Sequence, residues 1–108
     1  MGTEENKVEE YLNDEVKALG GFTRKFAYIG RRGGADRIVF LYGTIILVEV
    51  KTTSGTESTL QTRERRRIRA TGARAHVVYG KEEVDKLLYD LQLLEDARDT
   101  LQTYGAQL

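Results

Sequence analysis

The stretch Asp36-Arg37-Ile38-Val39-Phe40-Leu41-Tyr42-Gly43-Thr44-Ile45-Ile46-Leu47-Val48-Glu49-Val50-Lys51 consists of two apolar runs broken at Tyr42-Gly43. Both runs are rich in β-branched and aromatic residues, and Gly43 supplies a turn. The stretch therefore reads as two strands, Asp36 to Tyr42 and Thr44 to Lys51, joined as a hairpin. A hairpin turning there pairs residues whose numbers sum to about 85, which sets Asp36 opposite Glu49 with Cβ atoms about 5 Å apart. Strand side chains alternate, so Glu49 and Lys51 share a face, and Asp36, Glu49 and Lys51 cluster at the open end of the hairpin. Two carboxylates directly opposite one another repel unless a cation lies between them. Ile38, Phe40, Ile45 and Leu47 fill the same face nearer the turn, and Val39, Leu41, Ile46, Val48 and Val50 line the other. With both faces apolar, the two strands are expected to be central and covered on both sides.

Outward from this hairpin, the chain alternates between helical and extended patterns. Thr3 to Leu19 reads as a helix, capped by Thr3, ended by Gly20-Gly21 and carrying the stripe Val8, Leu12, Val16 and Leu19. Glu5 and Glu9 fall on or beside that stripe, where a carboxylate needs a partner; Glu5 is the preferred candidate to reach a polar site, with Glu9 the alternative. Phe22 to Ile29 reads as a strand, and Gly30-Arg31-Arg32-Gly33-Gly34 as a basic loop. After the hairpin, a polar loop over Thr52 to Thr59 leads to a helix capped by Ser58 or Thr59 and stopped by Gly72. That helix carries five arginines against the single Glu64, too many for simple i,i+4 pairing. Ala73 to Tyr79 reads as a strand reached by a crossover, with His76 packing there rather than acting as a catalyst. Lys81 to about Thr103 is a long amphipathic helix whose stripe, Val84 to Leu101, exceeds what one small sheet requires. Its distal part is expected to pack against a second copy. The order predicts one α/β domain spanning residues 1–108: a mixed central sheet flanked by helices, with an extended C-terminal helix.

Composition narrows the classes of function. The 108 residues contain no cysteine and one histidine, which removes disulfide frameworks, cysteine-zinc sites and multi-histidine metal motifs. The N-terminal segment is acidic and lacks the apolar core of a signal peptide, and no apolar run approaches a membrane span, so a cytoplasmic location is expected. The zero net charge hides an asymmetry. From Arg24 to Arg74 there are twelve Lys or Arg against four Asp or Glu, while the flanks are acidic. A basic middle in an acidic frame suits contact with a polyanion.

Two carboxylates and a lysine suit phosphodiester hydrolysis. Asp36 and Glu49 can ligate Mg²⁺ or Mn²⁺ through oxygen, with the Val50 carbonyl as a further ligand and Glu5 completing the shell. Lys51 is placed to position or activate a water, or to stabilise charge developing on the phosphate, and Gln61 to orient the phosphate or the water. Arg31, Arg32, Arg37, Arg63, Arg65 and Arg66 are the candidate nucleic-acid contacts. The alternative is a module that binds nucleic acid without cutting it, using the basic loop and the arginine helix.

The pattern Asp36…Glu49-Val50-Lys51 resembles the signature of the PD-(D/E)xK nuclease superfamily. More closely, the chain is similar to a stand-alone VRR-NUC domain of the phage and bacterial type. The similarity runs over about residues 4 to 88 and rests on Glu5, Tyr11-Leu12, Gly20-Gly21, Lys25-Phe26, Gly30-Arg31-Arg32-Gly33, Asp36-Arg37, Glu49-Val50-Lys51, Gln61, Ala70-Thr71-Gly72 and Val77-Val78. The resemblance implies a restriction-endonuclease-like core (αβββαβ) and Mg²⁺- or Mn²⁺-dependent DNA cleavage. It also implies dimerisation and action on branched DNA such as four-way (Holliday) junctions. The family usually has proline before the aspartate; here Ala35 stands there, which removes a constraint on φ but leaves the carboxylate in place.

Overall fold

The computed structural model describes residues 3–26 and 35–105, with Ala35, Asp36, Tyr104 and Gly105 described by backbone alone. The elements run α1 (Glu4–Ala18), β1 (Phe22–Lys25), β2 (Ala35–Leu41), β3 (Thr44–Lys51), α2 (Thr59–Ala70), β4 (Arg74–Tyr79) and α3 (Gly80–Gly105). The strands form one sheet in the order β1-β2-β3-β4. β1, β2 and β3 are antiparallel neighbours, and β4 joins parallel to β3 after the α2 crossover. A parallel neighbour needs such a long connection, and α2 supplies it.

Each boundary has a local cause. Thr3 caps α1 by accepting a hydrogen bond from the Asn6 backbone N–H, and Glu4 and Glu5 lie at the positive end of the helix dipole. Ser58 and Gln61 form a reciprocal capping box at the start of α2. The β2–β3 turn contains only Tyr42 and Gly43, both in the left-handed region at φ 54° and 70°, because Leu41 pairs directly with Thr44. Glycine takes that conformation without cost, whereas tyrosine does not. Tyr42 is held there by α3: its hydroxyl donates to Gln92 and its carbonyl accepts from Arg98.

The core lies on one face of the sheet. Val39, Leu41, Ile46, Val48, Val50 and Val78 pack with Val8, Leu12 and Val16 of α1 and with Val84, Leu87, Leu88 and Leu91 of α3. Each such aliphatic side chain contributes about 1.5–3 kcal/mol on burial. The two helices are also tied by a 2.5 Å hydrogen bond from Tyr11 Oη to Asp85, which pushes the tyrosine's pKa well up.

The opposite face differs from the expectation of full cover. α2 lies against β4, and Phe22 and Ile45 remain 45% and 64% exposed. Phe22 stacks on its cross-strand neighbour Phe40 with ring centroids 4.8 Å apart, and the Arg24 guanidinium sits 4.6 Å above the Phe22 ring. One crossover helix is too narrow to span four strands. α3 is 26 residues long, about 39 Å at 1.5 Å per residue, and its burial ends at Leu91. Beyond that point Leu93, Leu94 and Leu101 are exposed. Among the described residues, no helix is long and apolar enough to cross a membrane.

Candidate active site

The hairpin register places the chemistry. Asp36 pairs with Glu49 across β2 and β3, so the two residues sit side by side at the open end. On β3, Val48 and Val50 point into the core, and Glu49 and Lys51 alternate with them toward the α2 side. Glu49 is only 6% exposed, an unusual position for a carboxylate. Lys51 is half-buried at the strand end, next to Tyr79 of β4.

A narrow cleft of about 20 Å³ lies over Glu49, walled by Leu47, Gln61, Glu64, Arg65, Ala75 and His76 among others. It has room for one water-sized occupant. Gln61 lines this cleft, and its Oε1 accepts from the Ser58 N–H at 2.8 Å, leaving the Nε2 amide as the end that can donate. His76 is half-buried, and its pKa is lowered by burial, with Arg69, Arg74 and Arg65 adding to the effect. It serves as a neutral wall residue.

Sequence reasoning missed Glu57. This residue precedes α2, and its carboxylate is 7% exposed. It accepts from Arg65 Nε at 3.0 Å, Arg65 Nη2 at 2.8 Å and Thr62 Oγ1 at 2.9 Å. The Arg65 hydrogen bonds hold its pKa down to about 2, outweighing burial, with the neighbouring Glu49 and Thr62 side chains acting in the same direction. No periodicity links Glu57 to Arg65, because a helix start lies between them; the one clue was an arginine surplus that Glu64 could not balance.

The remaining candidates divide clearly. Arg31 and Arg32, with the rest of the basic loop, lie outside the described residues. Arg37, read from sequence as a nucleic-acid contact, instead forms an ion pair: its Nε and Nη2 donate to Glu9 Oε1 at 2.8 and 2.5 Å. Position 37 pairs with Val48 and so faces α1, away from Glu49. Arg65 is likewise engaged, by Glu57. Arg63 and Arg66 are exposed and, with Arg67, line an open groove of about 540 Å³ along α2. Glu9, the alternative to Glu5, is the buried acid of α1, and Arg37 is its partner. Glu5 lies half-buried in the first turn, where Glu4, Lys7 and Val8 share a cavity with Thr52, Thr53 and Ser54, just beyond Lys51.

The residue types suit a hard divalent cation: a deeply buried carboxylate, Glu49, with a second acid, Asp36, opposite it in the ladder. Among the described residues, no three acids or histidines yet form a metal cage, and the Asp36 side chain is not among those described.

An antiparallel hairpin carrying Asp opposite Glu-x-Lys, followed by a crossover helix and a parallel strand, defines the restriction-endonuclease-like class. A solved structure described as a VRR_NUC domain matches this chain with a TM-score of 0.73 and 40% identity, over 82% of this chain and 97% of that one. The curated relative "Putative nuclease p44" of Acyrthosiphon pisum secondary endosymbiont phage 1 is 42% identical over 69 residues, 63% of this chain and 74% of its own length. No family model matches the chain. The chain belongs to the VRR-NUC family of the PD-(D/E)xK nuclease superfamily.

Proposed function

We propose that this chain is a metal-dependent endodeoxyribonuclease, selective for branched DNA such as four-way junctions and active as a homodimer. The observation that carries the reading is the pairing of Asp36 with Glu49 at the strand end that also bears Lys51. Asp36, Glu49 and the Val50 carbonyl would hold Mg²⁺ or Mn²⁺, with Glu5 approaching from α1. Held there, such an ion would supply Lewis-acid polarisation of the phosphate and a more acidic water. Lys51 orients that water and offsets charge on the phosphoryl oxygens. Gln61 donates through Nε2 to the phosphate or the water. The narrow cleft above the buried Glu49 limits bulk water, which strengthens each of these contacts. Arg63 and Arg66 meet the DNA backbone along α2, with Arg31 and Arg32 contributing from the basic loop. The apolar distal half of α3 supplies the surface for a second copy, and a two-fold places two sites for two strands.

The test is cleavage of linear, nicked, flap and four-way-junction DNA with Mg²⁺ or Mn²⁺. Asp36→Ala, Glu49→Ala and Lys51→Ala are expected to abolish cutting while leaving the thermal melt cooperative. Cutting at the wild-type rate by any of the three removes the assignment. Salt-dependent binding with no cutting by the wild type replaces it with a non-catalytic DNA-binding module. Leu93→Glu combined with Leu101→Glu, at exposed positions beyond the core, is expected to halve the mass in solution; an unchanged mass removes the dimer.

A further inference from the structure

We infer that Glu57 is a positioning residue of this site: it holds the Arg65 guanidinium on itself and so keeps that cation off the Glu49 carboxylate. The inference rests on the reading of Glu49 as a metal ligand. Arg65 lies within reach of two acids. It lines the cleft over Glu49 and feels the charge of both Glu57 and Glu49. Its hydrogen bonds nonetheless go to Glu57, one to each oxygen, at 3.0 and 2.8 Å. This two-point geometry is the one a guanidinium favours. Thr62 adds a third bond to Glu57 from the first turns of α2, which fixes the carboxylate that Arg65 must meet. With 7% exposure for Glu57 and 22% for Arg65, water competes weakly for either partner.

The chemistry makes the choice of partner matter. A guanidinium does not lose its proton in a protein. Resting on Glu49, it would be a permanent cation in the place where a divalent ion is required. Tied to Glu57 by the bonds at 3.0 and 2.8 Å, it neutralises that acid, and Glu49 pairs with Asp36 in the backbone ladder. Glu57 thus acts on the site through Arg65, and its own carboxylate stays committed to the ion pair. A direct ligand role for Glu57 makes a different prediction, because it requires that carboxylate itself.

The experiment is calorimetric titration of Mn²⁺ into DNA-free protein for the wild type, Glu57→Gln, Arg65→Gln and the double variant, with a thermal melt on each. Glu57→Gln releases Arg65 toward Glu49 and is expected to weaken Mn²⁺ binding at least tenfold, in the range typical of residues that orient metal ligands. Arg65→Gln is expected to bind at least as tightly as the wild type. The double variant removes the competitor together with its restraint and is expected to recover to within about threefold of the wild type. A double variant as weak as Glu57→Gln overturns the inference, since Glu57 would then be needed for itself. Wild-type affinity in Glu57→Gln, or weakened binding in Arg65→Gln, overturns it equally. If Glu57→Gln fails to melt cooperatively, the double variant decides, because it leaves neither charge of the pair stranded. Wild-type protein that binds Mn²⁺ no better than Asp36→Ala overturns the metal reading, and this inference with it.

Discussion

Arg37 offers a direct contest between placement in the fold and contact with DNA. In Arg37→Met the aliphatic stem is kept and the guanidinium is lost. Glu9, 7% exposed, then stays in the α1–β2 contact without the two hydrogen bonds it now accepts. Stranding one member of a buried pair costs about 3–5 kcal/mol. The side chains here retain 19% and 10% exposure, so solvent screening lowers the figure to about 2–3 kcal/mol. For a domain near this size, 1 kcal/mol shifts Tm by at least about 4 °C, so the expected fall is about 10 °C. Glu9→Gln combined with Arg37→Met is expected to regain more than half of it, because no charge is then stranded. The assay is thermal unfolding by circular dichroism, paired with DNA affinity across a salt series. A phosphate contact at Arg37 would instead leave Tm within a degree or two and lower the slope of log K against log salt by about 0.9. That outcome would refute the structural assignment of Arg37.

Other expectations follow from single contacts. Gly21→Ala is expected to destabilise the fold by about 1–3 kcal/mol or more and so to lower Tm, because its Cβ would sit 2.3 Å from the Phe40 carbonyl oxygen; a melt matching the wild type contradicts that close approach. Arg63→Gln with Arg66→Gln is expected to lower the salt slope of DNA binding by nearly two, measured by fluorescence anisotropy, with Tm unchanged. His76 is held below its ordinary pKa by burial, so the unfolded chain takes up the proton first. Its contribution to stability is complete above about pH 6.5 and is lost as the pH falls through the depressed folded value. Stability in urea at pH 7.5 and pH 5 is therefore expected to fall less in His76→Asn than in the wild type; an equal or larger fall counts against the depressed value.

The hairpin was legible because its physics is local. A two-residue turn and period-two alternation determine the register, and every observed β2–β3 partner obeys the numbering relation read from Tyr42-Gly43. The helix caps at Thr3 and Ser58 were legible for the same reason. Three features were not. Charge counting cannot tell an arginine that faces DNA from one that meets a distant acid. Arg37 is 28 positions from Glu9, and only the strand's alternation toward α1 brings them together. Glu57 lay in a loop, where no periodicity predicts direction, and its depth depends on how α2 settles against the sheet. The open row of Phe22, Phe40 and Ile45 was also hidden, since an apolar pattern says which face is greasy and not how much cover the chain can provide.

The turn at Tyr42-Gly43 has a consequence for how this gene can vary. Its length determines which residues meet at the far end of the ladder, so the acidic pair is specified partly by counting. Deleting or inserting one codon between Ile38 and Ile46 would leave both acids in the chain and the strands apolar. It would also slide Asp36 past Glu49 and turn one of them to the helix-covered side. A scan of single-codon insertions should therefore find this turn as intolerant as the acidic positions themselves, although neither Tyr42 nor Gly43 lines the cleft over Glu49. Variation in length is then channelled elsewhere, and related chains should differ in their loops while keeping this interval constant.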